Sequence, residues 1–263
     1  MNANGQTAVL EGGDTRATMK AIVRYRYGSP DLPELRNIEK PEIADDEVLV
    51  RVRAAGVDRG VWHVMTGLPY PIRLAGFGFR APKNPVIGSD VAGVVEAIDK
   101  DVGGFRPGEE VFGIGKGSYA EYAPALEAKL APKPSNLTFE QAAAVAISGS
   151  TALQAVRDHG KVRQGQEVLI IGASGGVGTY AVQIAKVFGA HVAGEGKGRW
   201  LGGTDRQLRA TMLSPFVGQK LGTFINKETH EYLLALKDLI ESHKVTPVID
   251  KTYPLVEVPE AIR

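Results

Sequence analysis

The sequence predicts an α/β protein with two domains, an antiparallel β domain followed by a domain with a parallel sheet flanked by helices. Short β-rich runs separated by Gly and Pro fill residues 19–132, which is typical of a barrel-like antiparallel domain. After Ser135, helical patterns surround an apolar run at Glu167–Gly172, which is typical of a strand in a parallel sheet. The predicted divisions are a disordered leader at 1–18, the β domain at 19–134, the α/β domain at 135–225 and a helix with a return segment to the β domain at 226–263.

Composition restricts the function to small-molecule chemistry. The chain has 31 basic and 30 acidic residues, so its net charge predicts neither a nucleic-acid nor a membrane partner. It has no cysteine, which excludes disulfides, thiolate catalysis and cysteine-based zinc sites and fits a cytoplasmic location. Met1–Ala17 is polar and lacks the apolar core of a signal peptide, so we expect a leader that ends at an internal start near Met19.

The strands of the β domain follow from period-2 patterns. In Glu47–Ala54, Val48, Val50 and Val52 alternate with Leu49 and two arginines, which predicts a half-buried strand. The other predicted strands are Lys20–Arg24, Asp90–Ile98, Glu109–Phe112 and Tyr119–Ala123. Thr66–Asn84, rich in Gly, Pro and aromatic residues, is predicted to be a long loop that lines a cleft.

Helices dominate the second domain. Residues 138–141 fit a capping box that opens an Ala-rich helix, and a second helix is expected from about Ser150 to His159. Glu167–Gly172 is expected to be a strand buried on both faces. The next helix ends at Gly189, and its apolar face carries Val177, Ala181, Ile184 and Phe188. A second parallel strand begins at His191.

The motif that carries chemistry is Gly172-Ala-Ser-Gly-Gly-Val-Gly178, placed between the apolar strand and its helix. Gly175 permits the backbone to approach a pyrophosphate, Gly178 permits close packing of helix on strand, and the helix N-terminus attracts the anion. Ala173 replaces the first glycine of the usual pattern. The alternative is a tight turn that binds no ligand. The predicted cofactor-binding residues of the motif are Ala173, Ser174, Gly175, Gly176, Val177 and Gly178.

Together with the following Ala-Val-Gln-Ile-Ala-Lys186, this motif resembles the medium-chain dehydrogenase/reductase superfamily, in its zinc-independent quinone oxidoreductase (zeta-crystallin-like) branch. Further similar segments are Ala54–Asp58, Gly88–Glu96, Phe105–Phe112, Ser118–Tyr122, Gly194–Gly203, Lys244–Asp250 and Pro254–Arg263. The resemblance implies a GroES-like β-barrel substrate domain, a Rossmann nucleotide-binding domain, a nicotinamide cofactor (NADPH or NADH) and a homodimer. The apolar segment Leu213–Phe224 is a candidate for the dimer contact.

The resemblance also assigns residues. The resemblance places Thr151 at the family's nicotinamide-side position, as a catalytic and cofactor-binding residue, with Ser150 or its backbone assisting; the alternative for both is a helix N-cap. Positions that hold metal ligands in zinc alcohol dehydrogenases carry Asp58 and Ser89-Asp90 here, so no metal is expected, and Asp58 is assigned to the substrate pocket. An oxygen-ligand metal site at Asp58 and Asp90 is the less favoured alternative.

The cleft-lining stretch supplies the rest of the candidate site. Trp62, Met65 and Tyr70 are candidates for an apolar acceptor pocket, with the Tyr70 hydroxyl as a catalytic proton donor. Loop packing is the alternative role for these side chains. The predicted function is hydride transfer to a quinone or an α,β-unsaturated carbonyl without zinc. A non-catalytic NADPH-binding protein is the first alternative, and zinc-free alcohol oxidation is a weaker one.

The second domain looks incomplete. A doubly wound half needs βαβαβ, yet residues 194–223 show no further strand pattern. We therefore expect a block to be absent near Ala193/Gly194 and a further segment to be absent at the C-terminus. Glu195, 20 residues after Gly175, is a candidate for the acid that binds the cofactor ribose. The resemblance instead assigns Glu195 to a later loop.

Overall fold

The computed structural model describes residues 17–195 and 226–263. Residues 1–16 of the predicted leader and the proposed dimer segment Leu213–Phe224 therefore lie outside the described residues, whereas Thr18, the last residue of the predicted leader, begins a strand. Among the described residues, no helix is both long enough and apolar enough to span a membrane.

The first domain consists of two antiparallel sheets. In the smaller sheet, β1 (Thr18–Val23) pairs with β2 (Glu34–Glu39). The larger sheet has the order β6-β3-β4-β5-β7. Its strands are β3 (Glu47–Ala55), β4 (Asp90–Ile98), β5 (Glu110–Ile114), β6 (Tyr122–Leu126) and β7 (Leu130–Pro132). A 3₁₀ turn at Glu127–Lys129 joins the last two strands.

The barrel core forms where β3 lies between β4 and β6. Val48, Val50 and Val91 have no exposed surface, as expected for the inward face. Leu49 lies on the opposite face of β3 and is 6% exposed, whereas Arg51 and Arg53 on that same face are exposed. The strand predicted at Tyr119–Ala123 begins three residues later. Tyr119 instead forms backbone hydrogen bonds with Ile87 and Ile22.

The helices of the second domain begin at the predicted capping box. The Thr138 side chain accepts from the Gln141 N–H, and the Gln141 side chain accepts from the Thr138 N–H, so the box that opens α2 (Phe139–Ala143) is confirmed. The next helix, α3 (Ala146–Leu153), continues as a π-helical turn at Gln154–His159. The N-cap alternative for Ser150 and Thr151 is wrong, because α3 begins four residues before Ser150.

The parallel sheet contains β8 (Glu167–Ile171) and β9 (His191–Glu195), joined by α4 (Gly176–Val187). The prediction that β8 is buried on both faces is wrong for the described residues: Leu169 is 63% exposed and Ile171 is 52% exposed. Among the described residues, Val168 and Ile170 on the opposite face pack against the helices. Strand β9 continues without interruption across Ala193 and Gly194.

The C-terminal segment packs against both domains. Helix α5 (His230–Glu241) buries Leu233, Leu236 and Ile240 against α3 and α4. A 3₁₀ turn at Leu255–Glu257 leads into α6 (Val258–Ile262). Val258 and Ile262 join a core cluster with Tyr119 of the β domain.

Candidate functional site

The glycine motif forms the turn between β8 and α4. Gly172 has φ +83°, the left-handed conformation that glycine adopts without strain, so the position before Ala173 supplies the sharp bend. A Cβ atom on Gly178 would overlap the Gly172 carbonyl oxygen. At Gly175 a Cβ would meet nothing nearer than 3.4 Å, so the space in front of this residue is open. The turn therefore leaves open space in front of the Gly175 backbone, where no side chain blocks a ligand.

The N-terminus of α4 is free to bind an anion. Its N-cap is Gly175, and no side chain caps the helix. Ser174, Gly175, Gly176 and Val177 are exposed, whereas Gly178 is buried. Uncapped N–H groups and the helix dipole together favour a phosphate group at this position. The motif thus fits a nucleotide by its shape and by its donors.

Helix α3 connects this turn to the β domain. The Ser148 hydroxyl oxygen lies 3.1 Å from the Cβ position of Gly176, so glycine at 176 lets the two helices approach closely. One residue earlier, the Ile147 N–H donates to Oδ1 of Asp90 at 2.8 Å. The Tyr180 hydroxyl on α4 donates to the Ala144 carbonyl at 3.1 Å. A rigid helix thereby fixes the nucleotide turn relative to a buried carboxyl group of β4.

Asp58 and Asp90 form a carboxyl pair beside the N-terminus of α3. Asp90 is 3% exposed, and both its burial and the charge of Asp58 raise its pKa well above the usual range. Asp58 caps α1 (Arg59–Thr66) by accepting from the Gly60 and Val61 N–H groups through Oδ1. Its Oδ2 is buried and has no donor among the described residues. This is the arrangement expected when Asp90 keeps its proton and shares it with Asp58.

The same pair acts on a neighbouring phenol. The Tyr119 hydroxyl donates to the Gly56 carbonyl at 2.9 Å. Burial raises the pKa of Tyr119 well above its ordinary value, and the charges of Asp58 and Asp90 raise it further. Glycine is required at 56 because a Cβ there would overlap the Ala143 carbonyl oxygen. The carboxyl pair is therefore enclosed by the β domain on one side and α2–α3 on the other.

Thr151 lies one turn along α3 from Ile147. Its hydroxyl donates to the Ile147 carbonyl at 2.7 Å and accepts from the Asn226 side-chain amide at 2.7 Å. The single hydroxyl proton is thus already donated within the helix. Next to it, Gln154 holds both the N–H and the carbonyl of Lys227, at 2.9 and 3.0 Å. Asn226 and Gln154 were not singled out from the sequence, since 75 positions separate Asn226 from Thr151 and no local motif marks the pairing.

The three predicted pocket residues have different environments. Trp62 is half-buried on α1, with the Arg59 guanidinium 4.5 Å from its ring centre. Met65, also on α1, has no exposed surface and packs with Ile22 and Tyr119, so it holds α1 against the core of the β domain. Asp58 is near Trp62 because it caps the same helix. The structure thus brings Asp58 and Trp62 to one helix N-terminus, with Met65 in the core behind them.

Tyr70 lies in a different place. It is 69% exposed, its ring centre is 4.9 Å from the Arg73 guanidinium, and it lines an open groove of about 540 Å³. The groove contains a π-helical turn at Arg73–Phe77. The predicted loop Thr66–Asn84 does line a depression, but the residues that line this groove belong to the loop itself: Tyr70, Pro71, Arg73, Leu74, Phe79 and Arg80.

Glu195 ends strand β9. In the parallel register it pairs with Ile171, the last residue of β8, directly before the glycine turn. The assignment of Glu195 to a later loop is therefore wrong, because its backbone belongs to the second parallel strand. Within residues 17–195 and 226–263, no three His, Asp or Glu side chains are grouped as a metal site.

Comparisons with known proteins agree with this geometry. A family model described as "Alcohol dehydrogenase GroES-like domain" matches residues 44–135, and one described as "Zinc-binding dehydrogenase" matches residues 139–263. Quinone oxidoreductase of Homo sapiens is 37% identical over 180 residues, which cover 67% of this chain and 52% of that protein. The 2-methylene-furan-3-one reductase of Solanum lycopersicum is 34% identical over 208 residues, covering 72% of this chain and 51% of that protein. The chain spans about half the length of the curated relatives it matches.

Solved structures agree on the fold. The quinone oxidoreductase from Coxiella burnetii has a TM-score of 0.78 at 24% identity, covering 93% of this chain and 94% of that one. An enoyl reductase, CurK, has a TM-score of 0.74 at 19% identity, covering 94% and 95%. At these identities the likeness concerns the architecture of a GroES-like domain joined to a Rossmann-like domain.

Proposed function

The chain belongs to the medium-chain dehydrogenase/reductase family, and we propose that it is a reductase that transfers hydride from a nicotinamide cofactor to a quinone or an α,β-unsaturated carbonyl without zinc. The observation that carries this proposal is the open, uncapped glycine turn at Gly175, held by α3 against the carboxyl pair of the β domain. The acceptor class comes from the relatives, a quinone oxidoreductase and a 2-methylene-furan-3-one reductase.

The residues of the turn would hold the cofactor. Gly175, Gly176 and Val177 offer backbone N–H groups to its pyrophosphate, and Ala173 and Ser174 border the same space. Gly178 sets the distance between helix and strand. When bound, the nicotinamide supplies the hydride. The protein positions the acceptor, limits water and manages the proton.

Thr151 would position the nicotinamide side of the site. Its hydroxyl proton is committed to the Ile147 carbonyl, which leaves an oxygen lone pair and a methyl group for contacts with a ligand. Asn226 holds that hydroxyl from the opposite side. We propose that Asp58 and Trp62 border the acceptor, with Met65 supporting α1, and that Tyr70 donates a proton when the loop contacts the acceptor.

The cofactor is NADPH or NADH in this proposal. Strand β9 ends at Glu195, whose backbone pairs with Ile171 directly before the glycine turn, and an acid at the end of this strand is the residue type that accepts hydrogen bonds from the ribose hydroxyls of NADH. The comparison of the two nucleotides therefore tests the role of Glu195. We also propose a homodimeric assembly and a cytoplasmic location, the last on the absence of cysteine.

The test is oxidation of NADH and NADPH by the purified chain with an ortho-quinone and with a short enal as acceptors. Turnover with either acceptor supports the proposal, and a higher kcat/KM for NADH supports the role of Glu195. In a Glu195→Gln variant, the kcat/KM values for NADH and NADPH should lie closer together. Equal use of both cofactors by the unaltered chain would reject the assignment of Glu195 while leaving the reductase proposal intact.

A second function is favoured by the exposed face of β8. Leu169 and Ile171 are 63% and 52% exposed, which is unusual for a strand of a parallel sheet. A non-catalytic nucleotide-binding protein would need the glycine turn but not a completed sheet. Saturable binding of a nicotinamide nucleotide without turnover on either acceptor would favour this function. Intact-mass measurement of the purified chain would test the proposed missing block, since a mass clearly above 28.1 kDa indicates additional residues.

A further inference from the structure

The loop that follows α1 has an unusual charge. Between Asp58 and Asp90 the sequence contains four arginines and lysines and no acidic residue. Three of these cations lie in residues 67–84, which we name the basic loop: Arg73, Arg80 and Lys83. The near-zero net charge of the whole chain hides this local excess.

The basic loop also exposes large apolar side chains. Leu74 is 74% exposed, Phe79 is 69% exposed and Phe77 is 41% exposed. Leu74 and Phe79 border the groove of about 540 Å³ together with the exposed Tyr70. Scattered exposed apolar residues are normal on a protein surface, but a contiguous group within ten residues indicates an interaction surface.

Internal contacts keep the basic loop in this arrangement. The Tyr27 hydroxyl donates to the carbonyls of Phe77 at 2.9 Å and of Gly78 at 2.6 Å. The Arg73 side chain donates to the Gly67 carbonyl at 3.0 Å, and its guanidinium lies 4.4 Å from the Tyr27 ring centre. These anchors fix the base of the loop, so Leu74 and Phe79 are presented to solvent by a supported backbone.

We propose that the basic loop docks on an anionic lipid bilayer, with Leu74 and Phe79 inserted at the level of the headgroups and the exposed Arg80 and Lys83 facing the lipid phosphates. Apolar and aromatic side chains flanked by Arg and Lys are the chemistry of peripheral membrane attachment. The charge argues against a symmetric contact between two copies of the chain. Such a contact would place the cations of one loop against those of the other, with no acidic residue in either loop to compensate them.

This proposal departs from the sequence-based expectation that no membrane partner exists. That expectation used the total of 31 basic and 30 acidic residues, whereas attachment to a membrane depends on the charge of the surface in contact. The proposal does not depend on the proposed reductase function.

The experiment is co-sedimentation of the full chain with vesicles. One set contains phosphatidylcholine alone, and the other contains phosphatidylcholine with about 30% phosphatidylserine, a fraction that gives a clear negative surface potential. The loop variants are Leu74→Ser with Phe79→Ser, and separately Arg80→Gln. The control is Val248→Ser, which removes an apolar side chain that is 64% exposed elsewhere on the surface. Thermal unfolding confirms that each variant is folded.

The proposal predicts binding to the anionic vesicles, weaker binding at higher salt and little binding to phosphatidylcholine alone. The double variant should lose this binding, and Arg80→Gln should weaken it about fivefold. Val248→Ser should bind like the unaltered chain. Binding to neither vesicle, or equal binding by the folded double variant, overturns the proposal. It is also overturned if the double variant abolishes a self-association seen by light scattering while no vesicle binding is found.

Discussion

The N–H of Ile147 donates a 2.8 Å hydrogen bond to Oδ1 of Asp90, which joins helix α3 to the first residue of strand β4. The residue after Ile147 on α3, Ser148, lies beside Gly176 of the glycine turn. Thr151 lies one helical turn after Ile147. The buried carboxyl of Asp90 is therefore a structural junction between the substrate domain and the nucleotide domain.

Replacing Asp90 tests this junction through the pH dependence of the free energy of unfolding. Burial and the charge of Asp58 raise the pKa of Asp90 in the folded chain above its unfolded value of about 3.9. The stabilisation from keeping the proton is complete below the unfolded pKa and is lost as pH rises through the folded pKa. Asp90→Asn keeps an acceptor for Ile147 and a donor toward Asp58 at every pH. We expect this variant to be more stable than the unaltered chain above neutral pH, by about 1 kcal/mol or more.

The measurement is denaturant unfolding of both proteins from pH 5 to pH 9. The free energy of unfolding of Asp90→Asn should exceed that of the unaltered chain by an amount that grows with pH. Asp238→Asn, at an exposed position of α5, serves as the control. The charge of Glu228 also raises the pKa of Asp90, whereas the hydrogen bond from the Ile147 N–H lowers it. A constant difference across this range would contradict the shared-proton arrangement.

Two glycines of the nucleotide turn should respond differently to alanine. Gly175→Ala points a methyl group into open space at φ −82°, so stability should change by no more than about 0.5 kcal/mol while nicotinamide-nucleotide affinity falls about tenfold or more. Gly178→Ala meets the Gly172 carbonyl, so it should destabilise the chain by about 1–3 kcal/mol. Calorimetric binding and thermal unfolding separate the two effects. Gly103→Ala, where a methyl group meets nothing within 4 Å, is the matched control.

Thr151 and Asn226 should act as a unit. Thr151→Val leaves the Asn226 amide and the Ile147 carbonyl without their partner, so kcat with a quinone should fall about tenfold or more. Asn226→Ala should cause a similar loss, and the double variant should be little worse than either single variant. Thr151→Ser keeps both hydrogen bonds and should retain most activity. A fully active Thr151→Val would remove the residue from the proposed site.

Tyr70 is tested by removing its hydroxyl. If it donates the proton, Tyr70→Phe should lower kcat by about 100-fold and leave cofactor affinity unchanged. Tyr70 is 69% exposed, so water reaches the same position and is the competing proton donor in this test. Steady-state kinetics at saturating cofactor give the answer, and unchanged turnover would exclude Tyr70 as the donor.

Local patterns were sufficient to predict much of the fold. The strand at Asp90–Ile98, the capping box at Thr138 and Gln141 and the glycine turn all depend on residues close in sequence, and the structure contains each of them. The boundaries of α3 were misjudged because Ser150 resembles a cap, whereas Ala146 and Ile147 already continue the helix.

Long-range relationships could not be predicted in the same way. The contact of Thr151 with Asn226 and the contact of Asp90 with Ile147 join positions 75 and 57 residues apart, and neither has a local signal. The exposure of Leu169 was also missed, since an apolar strand sequence does not state which of its faces is covered. Burial of Met65 follows from the packing of α1 on the barrel, which again depends on tertiary structure.

The most direct test of the central claim is the rate of NADH and NADPH oxidation with an ortho-quinone, measured for the unaltered chain, Gly175→Ala and Gly103→Ala. The proposed reductase predicts steady, saturable turnover by the unaltered chain and by Gly103→Ala. It predicts a KM for the cofactor at least about tenfold higher in Gly175→Ala. Absence of turnover with both cofactors and with a short enal, in a chain that is folded and binds the nucleotide, would contradict it.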